Sequence, residues 1–137
     1  MKTLAANVCL MLSLYVSGAA DWFYWSPAAG GNGHSYTAVS APAGISWTAA
    51  KSQAEAMGGY LATITSAAEN NFVYSLVATR SQFWYTVGDG TRGPWLGGYQ
   101  LPGSVEPAGG WAWVTGEAFS FQNWAPGEPN DDPWVVE

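Results

Sequence analysis

Cysteine occurs once in this chain, at Cys9, and histidine once, at His34. A single thiol excludes an internal disulfide framework, the common support of small exported domains. A single imidazole excludes zinc sites that place two histidines on one helix face. Basic residues are also scarce, with 4 Lys+Arg against 10 Asp+Glu and a formal net charge of -6. Duplex binding needs clustered Lys and Arg to displace counterions from phosphate, so no nucleic acid is expected as a partner. A secreted hydrolase finds no machinery either, because no Ser/His/Asp order and no convincing carboxylate pair is present. What remains is 48% hydrophobic and 15% aromatic over 137 residues. That suits one folded domain and is too apolar for disorder. Carboxylates in excess of cations suit a hard metal ion, although acidic surfaces commonly serve solubility alone.

The longest apolar run, Leu4 to Val16, follows Lys2 and precedes Ser17-Gly-Ala-Ala20. A basic start, an apolar middle and small residues at the end predict a secretory signal over residues 1–20, cut after Ala20. The run falls short of the ~20 residues that a bilayer-spanning helix needs. A retained anchor or a buried N-terminal helix is the alternative. Cleavage would remove Cys9 and Lys2, leaving a mature domain over 21–137 with Lys51, Arg80 and Arg92 as its basic residues. The expected location is secreted, extracellular or periplasmic, with no transmembrane segment in the mature chain.

The mature region reads as α+β, with two helices first and then short strands and long loops. Asp21 to Gly33 predicts an entry strand and turn, and His34 to Ser40 a short strand, with His34 hydrogen-bonded at its start. Ser46 can cap a helix whose Trp47, Ala50, Ala54 and Met57 form one stripe, ended by Gly58-Gly59. Tyr60 to Ile64 reads as a strand. Ser66-Ala-Ala-Glu69 has the spacing of a capping box, which by itself accounts for Glu69, ahead of a helix with Phe72, Val73, Leu76 and Val77 inside. Residues 79–94 read as a long loop with a turn at Gly88-Asp89-Gly90. Short strands are expected at Trp95–Tyr99, Trp111–Thr115 and Phe119–Phe121. Trp47, Trp95, Trp111 and Trp113 read as core, and Trp124 as packed beneath the following loop.

The segment Gly127-Glu128-Pro129-Asn130 carries the chemistry. Calcium takes ~6–8 oxygen ligands from carboxylates, amide carbonyls and water. Glu128 offers a carboxylate, Asn130 a carbonyl oxygen, and Pro129 fixes the backbone between them. A prolyl bond takes the cis form at a cost of only ~0.5–1 kcal/mol. Each side chain could ligate an ion through one atom and keep another for a sugar hydroxyl, Glu128 accepting and Asn130 donating. A Gly-Pro surface loop with incidental acids is the alternative.

Several strings, in one order, resemble a C-type lectin domain. They are Gly33-His-Ser-Tyr36, the Trp47 helix ending in Gly-Gly, Tyr60-Leu-Ala-Thr-Ile64, and Ala68-Glu69-Asn70. Trp95-Leu-Gly-Gly98 is similar to the family's Trp-Ile-Gly strand, and Trp111-Ala-Trp-Val-Thr-Gly116 to the strand before its long loop. Phe121-Gln-Asn-Trp124 with Glu128-Pro129-Asn130 matches the family's calcium and sugar motif. The resemblance spans roughly residues 31 to 137.

It implies a C-type lectin-like fold, two helices on short antiparallel strands with a long calcium-binding loop. It also implies a cis Pro129 that turns Glu128 and Asn130 toward one point, with Ca2+ as cofactor and mannose-type glycans as partners. Glu137 stands near the family's next calcium carboxylate. Asp131 is a further candidate ligand, Asp132 reads as a turn residue, and Trp134 is a candidate sugar contact. The family also uses an Asn-Asp pair on a later strand, and closing strands, which this sequence does not contain. That departure points to a fragment, apparently truncated at the C-terminus, and the missing cysteines to a bacterial-type member. The function expected is a non-catalytic carbohydrate-binding module. The alternative is a protein-interaction or adhesin domain on the same fold.

Overall fold

The computed structural model describes residues 21–87 and 90–130. The expected signal at 1–20, the Gly88-Asp89 turn and the segment 131–137 lie outside the described residues. The order of elements is β1 (Phe23–Tyr24), β2 (Ser35–Tyr36), α1 (Trp47–Ala56), α2 (Ala67–Ser75), β3 (Tyr85–Val87), β4 (Gly90–Arg92), β5 (Gly98–Gln100) and β6 (Trp111–Trp113). Single 3-10 turns at Pro27–Ala29 and Ser81–Phe83 complete it. The class is α+β, as expected.

Helix α1 starts where Ser46 Oγ accepts a hydrogen bond from Ala49 N at 3.2 Å, filling one of the orphan donors of a first turn. Ala50 and Ala54 face the core, and the small side chains let the helix lie close to its neighbours. It ends at Met57, followed by Gly58 with φ of 80°, a left-handed geometry that favours glycine.

Helix α2 starts at Ser66, whose Oγ accepts from Glu69 N at 3.1 Å. The return arm of the capping box does not form. Glu69 Oε2 instead accepts from Thr65 N at 2.7 Å and Thr65 Oγ1 at 2.9 Å. Its Oε1 accepts from Tyr36 Oη at 2.7 Å and Asn32 Nδ2 at 2.9 Å. A carboxylate leaves water only if donors replace its hydration, and these side-chain and backbone donors do so. Glu69 is therefore a tertiary joint between α2, β2 and the turn after β1, and not only a cap.

The strands make three separate antiparallel pairs, β1 with β2, β3 with β4 and β5 with β6, without a closed sheet among the described residues. Phe23 faces Tyr36, Tyr85 faces Arg92 and Gly98 faces Trp113 in the three registers. Tyr60 to Ile64 forms no ladder, yet Leu61, Ala62, Thr63 and Ile64 are all buried. Gly97 links this segment to β6, donating N–H to Ala62 O and accepting from Val114 N, each at 2.9 Å. The stretch read as one long loop, 79–94, contains the β3–β4 hairpin. Phe119 to Phe121 is not a strand, but its rings pack on the core.

Tyr36, Leu61, Val73, Val77 and Trp113 lie at the centre of the core. Trp47 Nε1 donates to Leu96 O at 2.8 Å and Trp95 Nε1 to Ile45 O at 2.7 Å, pinning α1 to the segment before β5. The structural reading of these tryptophans holds. Trp113 Nε1 is buried with no hydrogen-bond partner. His34 sits as expected at the start of β2, its carbonyl accepting from Trp25 N at 2.8 Å.

Candidate functional site

The route to the site is built from rings. Phe119 packs on Trp113 with centroids 4.7 Å apart, and Trp124 on Trp111 at 4.8 Å. These contacts hold the chain after β6 against the strand it has just left. Trp124 Nε1 donates to Gln122 Oε1 at 3.1 Å, so this indole is packed and committed, as the sequence suggested.

Beyond Trp124 the backbone turns, with Glu128 N donating to Ala125 O at 2.9 Å and Gly127 at φ of 89°. The Glu128–Pro129 peptide is cis. Asn130 N donates to Glu128 Oε2 and Asn130 Nδ2 to Glu128 Oε1, both at 3.0 Å. The carboxylate and the carboxamide thus lie side by side, Glu128 half-buried and Asn130 exposed. Among the described residues no basic side chain pairs with Glu128.

This donor set suits a hard cation. Both side chains offer oxygen, the carboxylate carries charge without a cationic partner, and neither is sealed in the core. Two side chains do not fill a calcium shell, and no group of three His, Cys, Asp or Glu able to hold a metal exists among the described residues. Asp131 and Glu137, the other candidate ligands, and Trp134, the candidate sugar contact, lie outside the described residues, as does Asp132.

Glu128, Pro129 and Asn130 line part of a groove of about 1240 Å³ that also takes in Trp111, Tyr99, Trp47 and Tyr85. Sequence reading did not place Tyr85 and Tyr99 beside this segment. Tyr99 stands in an expected strand, and the strand periodicity says nothing of which cavity a ring borders.

The chain was compared with known proteins. Residues 43–134 match the family model described as "Lectin C-type domain". Among curated proteins, the chain is 34% identical over 95 residues to "Ladderlectin" of Oncorhynchus mykiss, covering 66% of this chain and 44% of that protein. It is 34% identical over 91 residues to "Perlucin-like protein" of Mytilus galloprovincialis, covering 66% and 51%. It is 30% identical over 93 residues to "Secretory phospholipase A2 receptor" of Homo sapiens, covering 68% and 5%. The matched region thus spans about half, or less, of each of these relatives. They are animal proteins, which lends no support to the bacterial setting expected from the missing cysteines. No solved structure matches the chain significantly.

Proposed function

This chain belongs to the C-type lectin domain family, and from that premise we propose a secreted, non-catalytic, calcium-dependent carbohydrate-binding domain that prefers mannose-type sugars. The observation that carries the reading is the pairing of Glu128 with Asn130, two polar side chains joined at 3.0 Å across a cis prolyl bond. Glu128 and Asn130 would hold Ca2+ through oxygen, with Asp131 and Glu137 as further ligands. When bound, the ion supplies open coordination positions that neighbouring sugar hydroxyls can fill. Glu128 accepts a hydrogen bond from one hydroxyl, and Asn130 donates one through its amide nitrogen. Trp134 contributes a ring face to the sugar. Trp124 takes no part, since its ring and N–H are already used against Trp111 and Gln122. Export rests on the signal read over residues 1–20. No helix among the described residues is long and apolar enough to cross a membrane.

Binding at one shallow site is weak, and several copies acting together raise it. A glycan array read with calcium and with chelator tests the proposal. The expected result is chelator-sensitive retention on mannose-terminated glycans and little on galactose-terminated ones. Binding unchanged by chelator overturns the role given to calcium.

The similarity to a protein named as a phospholipase receptor favours one second reading, a protein-interaction or adhesin domain on the same scaffold. Retention of a protein ligand with no retention on any glycan distinguishes it.

A further inference from the structure

Asn32-Gly33 is the one Asn-Gly pair in the chain. An asparagine before glycine is chemically labile, because glycine has no side chain to shield its amide nitrogen from the neighbouring carboxamide. The fold nevertheless calls for both residues. Gly33 has φ of 81°, in the left-handed region that favours glycine. Asn32 Nδ2 donates to Tyr36 Oη at 2.6 Å and to Glu69 Oε1 at 2.9 Å, and the Tyr36 hydroxyl donates to the same Oε1 at 2.7 Å. The three side chains close a triangle in which the asparagine amide only donates and the carboxylate only accepts.

Asn32 is exposed, so water reaches the labile amide and burial does not protect it. Hydrogen bonds do. Gly33 N, the nucleophile of deamidation, donates to Trp25 O at 2.9 Å. Asn32 Oδ1 accepts from His34 N at 3.0 Å, and Nδ2, the leaving group, is held by the two bonds of the triangle. Ring closure needs Gly33 N to lose its proton and reach Asn32 Cγ, and so needs these contacts to open. Once they open, the Gly33 nitrogen bonds to Cγ, the Cγ–Nδ2 bond breaks, and ammonia leaves with the proton that Gly33 gave up. Water then opens the cyclic imide at one of its two carbonyls, leaving aspartate or isoaspartate at position 32.

We propose that Asn32 is a deamidation site guarded by the native fold, and that its product cannot rebuild the joint between β2 and α2. The new carboxylate faces Glu69 Oε1 and Tyr36 Oη with no hydrogen to give. Only one of the two carboxylates can accept from the Tyr36 hydroxyl, and like charges at this range repel. Isoaspartate in addition lengthens the backbone of the turn after β1. Time spent unfolded is thereby recorded as a permanent loss of stability.

Peptide mapping of the full chain aged at mildly alkaline pH, in buffer and in denaturing urea, tests the guard. A short peptide around Asn32-Gly33, aged in both solvents, gives the unguarded rate. Deamidation at Asn32 is expected to run at least about tenfold more slowly in the folded chain than in the peptide, and to match the peptide in urea. Equal rates in the folded chain and the peptide overturn the guard. Urea denaturation of two variants tests the consequence. Asn32→Asp should lower the unfolding midpoint. Asn32→Asp combined with Glu69→Gln reverses every bond of the triangle. The glutamine amide can then donate to the new carboxylate and to Tyr36, while its carbonyl keeps Thr65 N and Oγ1 as donors. The double variant should recover most of the lost midpoint. An unchanged midpoint in Asn32→Asp, or a double variant no more stable than Asn32→Asp, overturns the claim for the product. Should Asn32→Asp fail to fold, a folded double variant upholds that claim and an unfolded one overturns it.

Discussion

The Tyr36 hydroxyl donates a hydrogen bond of 2.7 Å to Glu69 Oε1, with Tyr36 0% and Glu69 3% exposed. One buried carboxylate thereby ties β2 to the start of α2, and Asn32 joins it from the turn after β1. The interaction crosses most of the first half of the domain in sequence, so it fixes how the N-terminal strands sit on the helices.

Glu69→Gln replaces one acceptor oxygen by an amide that must face a donor, at either the Tyr36 and Asn32 side or the Thr65 side. It should cost about 3 kcal/mol of folding stability in urea denaturation. Tyr36→Phe leaves the carboxylate its other donors and should cost about 1–2 kcal/mol. The double variant should cost less than the sum of the two, because the bond can be lost only once. Strict additivity would show that the pair is not coupled.

Alkaline conditions probe the same bond from the other partner. Burial first, and then the hydrogen bond to Glu69, push the Tyr36 phenol well above its usual range. The unfolded chain loses this proton near about pH 10, while the folded chain keeps it. The stabilisation is full below that pH and falls above it, by up to about 1.4 kcal/mol per pH unit. Tyr60 is raised as well, by burial and then by nearby Glu117 and Glu69, and acts in the same direction. Urea midpoints measured over roughly pH 9 to 11 should fall less steeply in Tyr36→Phe than in the natural chain. Equal slopes would remove Tyr36 as the source.

Both helices were legible because their signals are local. Ser46 and Ser66 cap as their spacing predicts, and alanines three or four apart mark the buried face of α1. Glu69 was half legible. Its spacing to Ser66 marked a helix start, but nothing in the local sequence says that Tyr36 and Asn32 will meet it. The β3–β4 hairpin was missed because Tyr85, Thr86, Thr91 and Arg92 give no apolar alternation. Tyr60–Ile64 has strand-like composition, yet its apolar side chains fill the core without joining a ladder. At the site, the cis Pro129 that sets Glu128 beside Asn130 was expected from the resemblance of Glu128-Pro129-Asn130 to the family's motif. The groove beside it is assembled from segments far apart and could not be read in this way.

Gly97 is held by close approach and not by a left-handed backbone. A methyl group there would lie 2.6 Å from Leu61 O and 2.7 Å from Val114 Cγ2. Gly97→Ala should therefore cost at least about 1–3 kcal/mol as the two segments are forced apart. At Gly98 a methyl would meet Trp113 Cζ3 at 3.2 Å and Phe119 Cε2 at 3.6 Å, side-chain atoms at looser range, so Gly98→Ala should cost less. Thermal unfolding of the two variants ranks them, and a reversed order would contradict the close packing at Gly97.

Helix α1 separates a cap from an ion pair. Ser46→Ala removes the Oγ acceptor of Ala49 N and should cost about 1 kcal/mol. Lys51 and Glu55 lie 2.5 Å apart with side chains 36% and 55% exposed. Water and salt screen such a pair, so Lys51→Met should cost no more than about 0.5 kcal/mol. Urea denaturation at low and high salt checks both, and only the Lys51 variant should approach the natural chain as salt rises.

Sugar selectivity is the sharpest consequence of the role proposed for Glu128 and Asn130. In the proposed site Glu128 accepts and Asn130 donates, so the pair would present an acceptor and a donor in a set order to two sugar hydroxyls. Glu128→Gln with Asn130→Asp keeps both shapes and an oxygen on each residue, and reverses that order. Metal binding should survive the exchange, since one carboxylate and one carboxamide remain. The order of donor and acceptor should instead suit galactose-type sugars. Side-by-side titration of both sugars, with calcium present, should show preference moving from mannose toward galactose. Glu128→Ala removes the carboxylate outright and should abolish binding of both. If the double exchange binds calcium and still prefers mannose, the pair does not set the sugar.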